Sequence, residues 1–88
     1  MARMNVKVRL DVGPDGQIEP FLIKWPPDDT VYPVRLIGRP LPRASTQAGG
    51  IGMRYLCNFG RGVYAYLFNE PPVWFMEEKD GKPAWFRR

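Results

Sequence analysis

The chain has no histidine. This removes the side chain that most often acts as a general base near neutral pH, and the commonest metal ligand. It has one cysteine, Cys57, so no disulfide can form within the chain. Small secreted domains usually carry several bridges. The opening Met1-Ala2-Arg3-Met4-Asn5 lacks the apolar run of a signal peptide. No apolar stretch approaches the length a membrane-spanning helix needs. These absences lead to the expectation of a cytoplasmic protein. No segment keeps a helical period over three turns, which removes the all-α and α/β classes. The last absence is local: between Thr30 and Asn69 there is no acidic residue.

Without histidine, the candidate nucleophiles Thr30, Ser45, Thr46 and Cys57 have no imidazole to activate them. Cys57 falls in a strand pattern, on one face with Met53 and Tyr55, and reads as a small buried hydrophobe. A reactive thiolate beside Arg54 or Arg61 is the alternative. The carboxylates cluster as Asp28-Asp29 and as Glu77-Glu78-Asp80. Neighbours on a strand point to opposite faces, so Glu77 and Glu78 do not converge on one metal. Lys7, Lys24, Lys79 and Lys82 all sit at positions that read as exposed. The expectation is a non-enzymatic protein with no catalytic residue, no cofactor and no metal.

What is present suits one small β domain. The chain has 88 residues, 44% of them hydrophobic, with three Trp, four Tyr and five Phe. A chain of this length buries roughly 60% of its unfolded surface, enough for one core. Large aromatic side chains supply much of such a core. Residues Arg3 to Val12 alternate, with Met4, Val6, Val8, Leu10 and Val12 on one side. Gly13-Pro14-Asp15-Gly16 is turn chemistry. A second strand runs Gln17 to Trp25, where Pro20 predicts an edge or a bulge. Pro26-Pro27-Asp28-Asp29 breaks the chain. Thr30 to Gly38 reads as a third strand, with Pro33 again suggesting an edge.

Residues 39–50 have no period and read as a long surface loop, with one short helical turn near Arg43 to Gln47. Ile51 to Phe59 and Val63 to Asn69 read as strands joined by a hairpin at Gly60-Arg61-Gly62. The latter strand is apolar on both sides. Val63, Ala65 and Leu67 make one row, and Tyr64, Tyr66 and Phe68 the other. Such a strand is central, or its aromatic row faces a partner. Pro71-Pro72 ends it, Val73 to Glu78 follows, and Asp80-Gly81 marks another turn. The tail 83–88 can fold back through Trp85 and Phe86. Six short strands bounded by Gly or Pro predict an all-β, five- to six-stranded antiparallel barrel. An SH3-like barrel is the first expectation and an OB-like barrel the second, with residues 1–88 as one domain.

The net charge of +4 is unevenly spread. The acid-free window holds Arg35, Arg39, Arg43, Arg54 and Arg61, and no lysine. Arginine offers a planar fork for phosphate and stacks on bases. The window also holds Tyr32, Tyr64 and Tyr66. Basic side chains interleaved with aromatic platforms on a small barrel are how many single-strand binders work. The glycine run Ala48-Gly49-Gly50-Ile51-Gly52 can bring main-chain N–H groups to an anion. Arginine and tyrosine are equally the residues enriched in protein–protein interfaces. Two functions are therefore expected: nucleic-acid binding through Arg35, Arg39, Arg43, Arg54, Arg61, Tyr32, Tyr64 and Tyr66, or docking on a protein partner or a second copy.

The stretch Ala48 to Cys57, followed by Tyr66-Leu67-Phe68 and Trp74-Phe75-Met76-Glu77, resembles a pattern in small uncharacterised proteins of Firmicutes-type bacteria. The opening Asn5-Val6-Lys7-Val8 and the region Trp25 to Tyr32 share it. The resemblance covers about Asn5 to Glu78 and leaves the tail Trp85 to Arg88 outside. It implies a compact bacterial domain and carries no activity and no catalytic residue.

Overall fold

The structure, a computed structural model, describes residues 2–44 and 51–88. Eleven strands occur among them, with no helix: β1 (Ala2–Asn5), β2 (Lys7–Val12), β3 (Ile18–Trp25), β4 (Thr30–Pro33), β5 (Arg35–Leu36), β6 (Leu41–Ala44), β7 (Ile51–Gly60), β8 (Val63–Glu70), β9 (Val73–Lys79), β10 (Lys82–Pro83) and β11 (Phe86–Arg87). Among these residues no helix is long and apolar enough to cross a membrane. The expected antiparallel all-β domain is what forms. Its ladders run in two sheets. The large sheet has the order β1-β9-β8-β7-β5, with β6 on β7, β10 on β9 and β11 on β8; the small sheet is β2-β3-β4.

Two strands read as continuous are split between the sheets. The chain leaves the large sheet after β1 and enters the small one at β2. The corner is Val6, whose N–H donates to the Trp74 carbonyl at 2.9 Å. The third expected strand divides the same way at Val34, whose N–H donates to the Phe21 carbonyl at 3.0 Å. Sheet switching at corners is how two small sheets share one core. The split also corrects the burial of the first strand: Leu10 and Val12 are exposed, at 38% and 69%. The register slips between Arg9 and Leu10, which pair with Leu22 and Pro20. The bulge expected at Pro20 is there, on the central strand of the small sheet, beyond the last residue that β4 pairs.

The long loop expected over 39–50 is shorter than expected. Leu41–Ala44 pairs with β7 from Arg54 to Ile51, so Arg43 lies on a strand and not in a helical turn. The remainder of that turn, Ser45, Thr46 and the glycine run before Ile51 lie outside the described residues. The β7–β8 hairpin is as read. Arg61 and Gly62 both have positive φ, at 56° and 72°. That is the turn whose twist matches its strands. The register passes from Asn58 opposite Tyr64 to Gly60 opposite Val63, which leaves Phe59 as a bulge.

The inner faces of the two sheets close on Ile23, Trp25, Val34, Tyr55, Cys57, Ala65, Leu67 and Met76. Tyr32, Phe59 and Trp74 pack against this cluster. Trp25 is fully buried, and its indole N–H donates to the Gly81 carbonyl at 3.0 Å. That bond ties the end of β3 to the β9–β10 turn. Beside it Lys82 Nζ meets Asp28 Oδ2 at 2.7 Å. The small sheet is thus latched over one face of the large sheet, and among the described residues no sheet covers the other face.

Candidate nucleic-acid interface on the outer face of the large sheet

Alternation decides what the uncovered face carries. On β8, Ala65 and Leu67 point into the core, so Tyr64, Tyr66 and Phe68 point out. Directly opposite residues share a face. Arg54 and Phe75 flank Phe68, and Phe86 stands opposite Tyr64. The rings form one continuous row. Phe75 and Phe68 stack with centroids 5.0 Å apart and planes at 11°. Phe68 and Tyr66 are 6.5 Å apart. Tyr66 meets Phe86 at 5.2 Å, and Phe86 meets Tyr64 at 6.2 Å.

Four guanidinium groups lie over this row. Arg3 sits 3.8 Å from the centroid of Phe75. Arg54 is 4.5 Å from that of Tyr66, Arg88 is 5.5 Å from Tyr64 and Arg43 is 5.6 Å from Phe68. Each is a cation–π contact with the electron-rich face of a ring. Arg35 joins the same face at its edge, because it stands opposite Asn58, which stands opposite Tyr64.

The acidic side chains on this face are few. Glu70 accepts from Arg3 at 3.4 Å, and Glu77 stands opposite Arg3. Glu70 crosses above β7 where Gly52 has no side chain; a Cβ there would meet Glu70 Cγ at 2.9 Å. Among the described residues no carboxylate pairs with Arg35, Arg43, Arg54 or Arg88. The face is therefore a positively charged aromatic strip.

Five of the eight sequence-derived residues meet here: Arg35, Arg43, Arg54, Tyr64 and Tyr66. Three do not. Tyr32 belongs to the small sheet and packs edge-on against Phe59 and Trp85, each at 5.6 Å. Arg61 forms the β7–β8 turn, and its carbonyl accepts from the Arg87 guanidinium at 2.9 Å. Arg39 lines a cleft of about 520 Å³ together with Asp15, Gln17 and Glu19. Acid-free sequence does not mean acid-free surroundings, since those carboxylates come from the β2–β3 turn and the start of β3. Sequence reasoning passed over Arg3, Phe75, Phe86 and Arg88 as site residues. The spacing of Phe86 and Arg88, two apart in a tail that ends in a strand, was the available signal for that pair.

The remaining chemistry is inward. Cys57 is fully buried, as expected, and burial pushes its thiol up to about 12. Burial also raises the phenol of Tyr55. Among the described residues no three His, Cys, Asp or Glu side chains group as a metal site. No protein-family model, no curated protein and no solved structure matches the chain.

Proposed function

We propose that this chain is a small non-enzymatic cytoplasmic module that binds nucleic acid through the outer face of its large sheet. One observation carries the reading: four guanidinium groups lie over a single row of rings, on the face the small sheet does not cover. Phosphate needs fixed positive donors, and bases need flat apolar platforms. This strip presents both within one side chain's reach. A protein partner would want the rings bare; here arginine covers them, which depletes the apolar area such a partner would bury.

Fluorescence anisotropy of labelled oligonucleotides against the purified protein tests this. Micromolar or tighter binding at low salt is expected, weakening as salt rises, because neutralised phosphates release counterions. Replacing Arg54 and Arg88 together by alanine should weaken it at least about tenfold, from the loss of two charged contacts. Absence of binding at low salt would overturn the reading.

A further inference from the structure

We infer that the strip is an exchange surface for unpaired bases: a base displaces Arg54 from Tyr66, a neighbouring base displaces Arg88 from Tyr64, and the freed guanidiniums take up phosphates. This rests on the nucleic-acid reading above and names its ligand as a single strand.

The four arginine–ring pairs are not equivalent. Arg3 is held at both ends, lying 3.8 Å from Phe75 while donating to Glu70 at 3.4 Å. Phe75 and Phe68 are themselves 9% and 8% exposed, so they have almost no ring face to offer. Arg54 and Arg88 have no carboxylate partner among the described residues, and their rings, Tyr66 and Tyr64, are half-buried. These two guanidiniums can swing away on flexible stems, and ring surface is left behind when they do. A base stacked on an aromatic ring contributes more than a partly exposed guanidinium over the same ring. The displaced cation then gains a charged hydrogen bond to phosphate. Exchange therefore runs toward the base.

Geometry favours an unpaired strand over a duplex. The faces of paired bases are buried in their own stack. A major groove about 12 Å wide admits a helix or a two-stranded ribbon. Here the rings and arginines spread across β6, β7 and β8 to β9 and β11, which pair with the far edge of β8, and a sheet of this width is too broad to enter. Tyr64 and Tyr66 lie two residues apart on one strand, so the slots suit adjacent bases of one extended strand.

The test compares an unpaired labelled oligonucleotide with the same sequence in duplex form, on the wild type, Tyr66→Ala, Arg54→Ala and the double variant Lys7→Ala/Lys24→Ala. The last removes cations from the small sheet, away from the arginine-covered row of rings. The unpaired strand should bind about tenfold tighter than the duplex or better. Tyr66→Ala should lose about tenfold with its salt dependence unchanged. Arg54→Ala should flatten the salt slope by about 0.7, the share of one phosphate. The lysine variant should lose less than either. In the unaltered protein, the ring-proton resonances of Tyr64 and Tyr66 should move upfield on titration with the unpaired strand, a readout that does not depend on a variant folding. Duplex binding as tight as single-strand binding, or unmoved tyrosine resonances with affinity intact, overturns base insertion while nucleic-acid binding stands. No binding of either form overturns both.

Discussion

The two faces of the large sheet are made from alternate residues of the same strands, yet they do opposite things with apolar side chains. On β8 the inward row of Ala65 and Leu67 is sealed beneath the small sheet. The outward row of Tyr64, Tyr66 and Phe68 is as apolar in composition but, among the described residues, is flanked by Phe75 and Phe86 and covered from outside by arginines. A sheet lid is held by many contacts and two latched turns. A guanidinium lid is held by single cation–π contacts, each worth about 0.5–1 kcal/mol at exposed sites. The lesson is that a strand apolar on both sides need not be a strand buried on both sides. What matters is whether its cover can be removed without unfolding the protein.

The sharpest separation should come from Cys57. A thiol held at about 12 rather than 9.0 carries about a thousandfold less thiolate at neutral pH. Its reaction with a soluble aromatic disulfide should be correspondingly slow in the native state and become fast in denaturant. Rapid native-state labelling would mean the inner face opens readily, and the contrast between the two faces would fail.

Stability comes next. Leu67 is fully buried, and Leu67→Ala should cost about 2–5 kcal/mol through lost transfer energy and the cavity left behind. Tyr66→Ala, on the other side of the same strand, should cost about 1 kcal/mol. Urea unfolding of both variants makes the comparison. Equal losses would show that the aromatic row is a second core rather than a removable surface.

A smaller effect separates the arginines themselves. Arg39 carries the same charge as Arg54 but lines a cleft with Asp15 of the β2–β3 turn and Glu19 of β3. Arg39→Ala should leave oligonucleotide affinity within about twofold of the wild type, because no ring and no neighbouring cation act with it. A loss matching that of Arg54→Ala would extend the binding surface around the edge of the sheet.

Much of this was legible in the sequence, for identifiable reasons. The β7–β8 hairpin was readable because Gly60-Arg61-Gly62 leaves few alternatives to a tight turn. The two rows of β8 followed from a period of two. Cys57 was readable as core because its i−2 and i−4 neighbours, Tyr55 and Met53, are apolar. The sheet corners at Val6 and Val34 were not readable. A valine that switches sheets carries the same side chain as one that stays, and only the Trp74 and Phe21 carbonyls it bonds reveal it. Charge in sequence was a partial guide. It grouped Arg35, Arg43 and Arg54, which the structure brings to one face. It also grouped with them Arg39 and Arg61, which lie off that face, because a window cannot show which carboxylates or turns lie beside a residue in space. It could not reach Arg3 or Arg88, which arrive on the face from the first strand and from the tail beyond β11.

The smallest expected effect concerns the latch that makes the inner face inner. Asp28 and Lys82 join the β3–β4 turn to the β9–β10 turn at 2.7 Å, beside the Trp25–Gly81 bond. The hydrogen bond from Lys82, with those from Thr30, lowers the Asp28 carboxyl from 3.8 to about 2, and the same contact raises Lys82. A carboxylate whose value is depressed on folding contributes stability above its unfolded value and loses it as pH falls through its folded one. The contribution should therefore be complete above pH 3.8 and fade toward about 2. Lys82 acts at the other end, where its contribution is lost only as pH rises beyond the ordinary lysine value. Asp28→Asn keeps an oxygen to accept from the Thr30 N–H and removes only the charge. The variant should be slightly less stable than the wild type at neutral pH, and the difference should vanish in acid as Asp28 protonates. Both groups are solvent-exposed, so the neutral-pH difference should sit at the small end of surface ion pairs. A difference that persisted at low pH would mean the turn is held by the shape of the Asp28 side chain and not by its charge, and the latch would then be the indole of Trp25 alone.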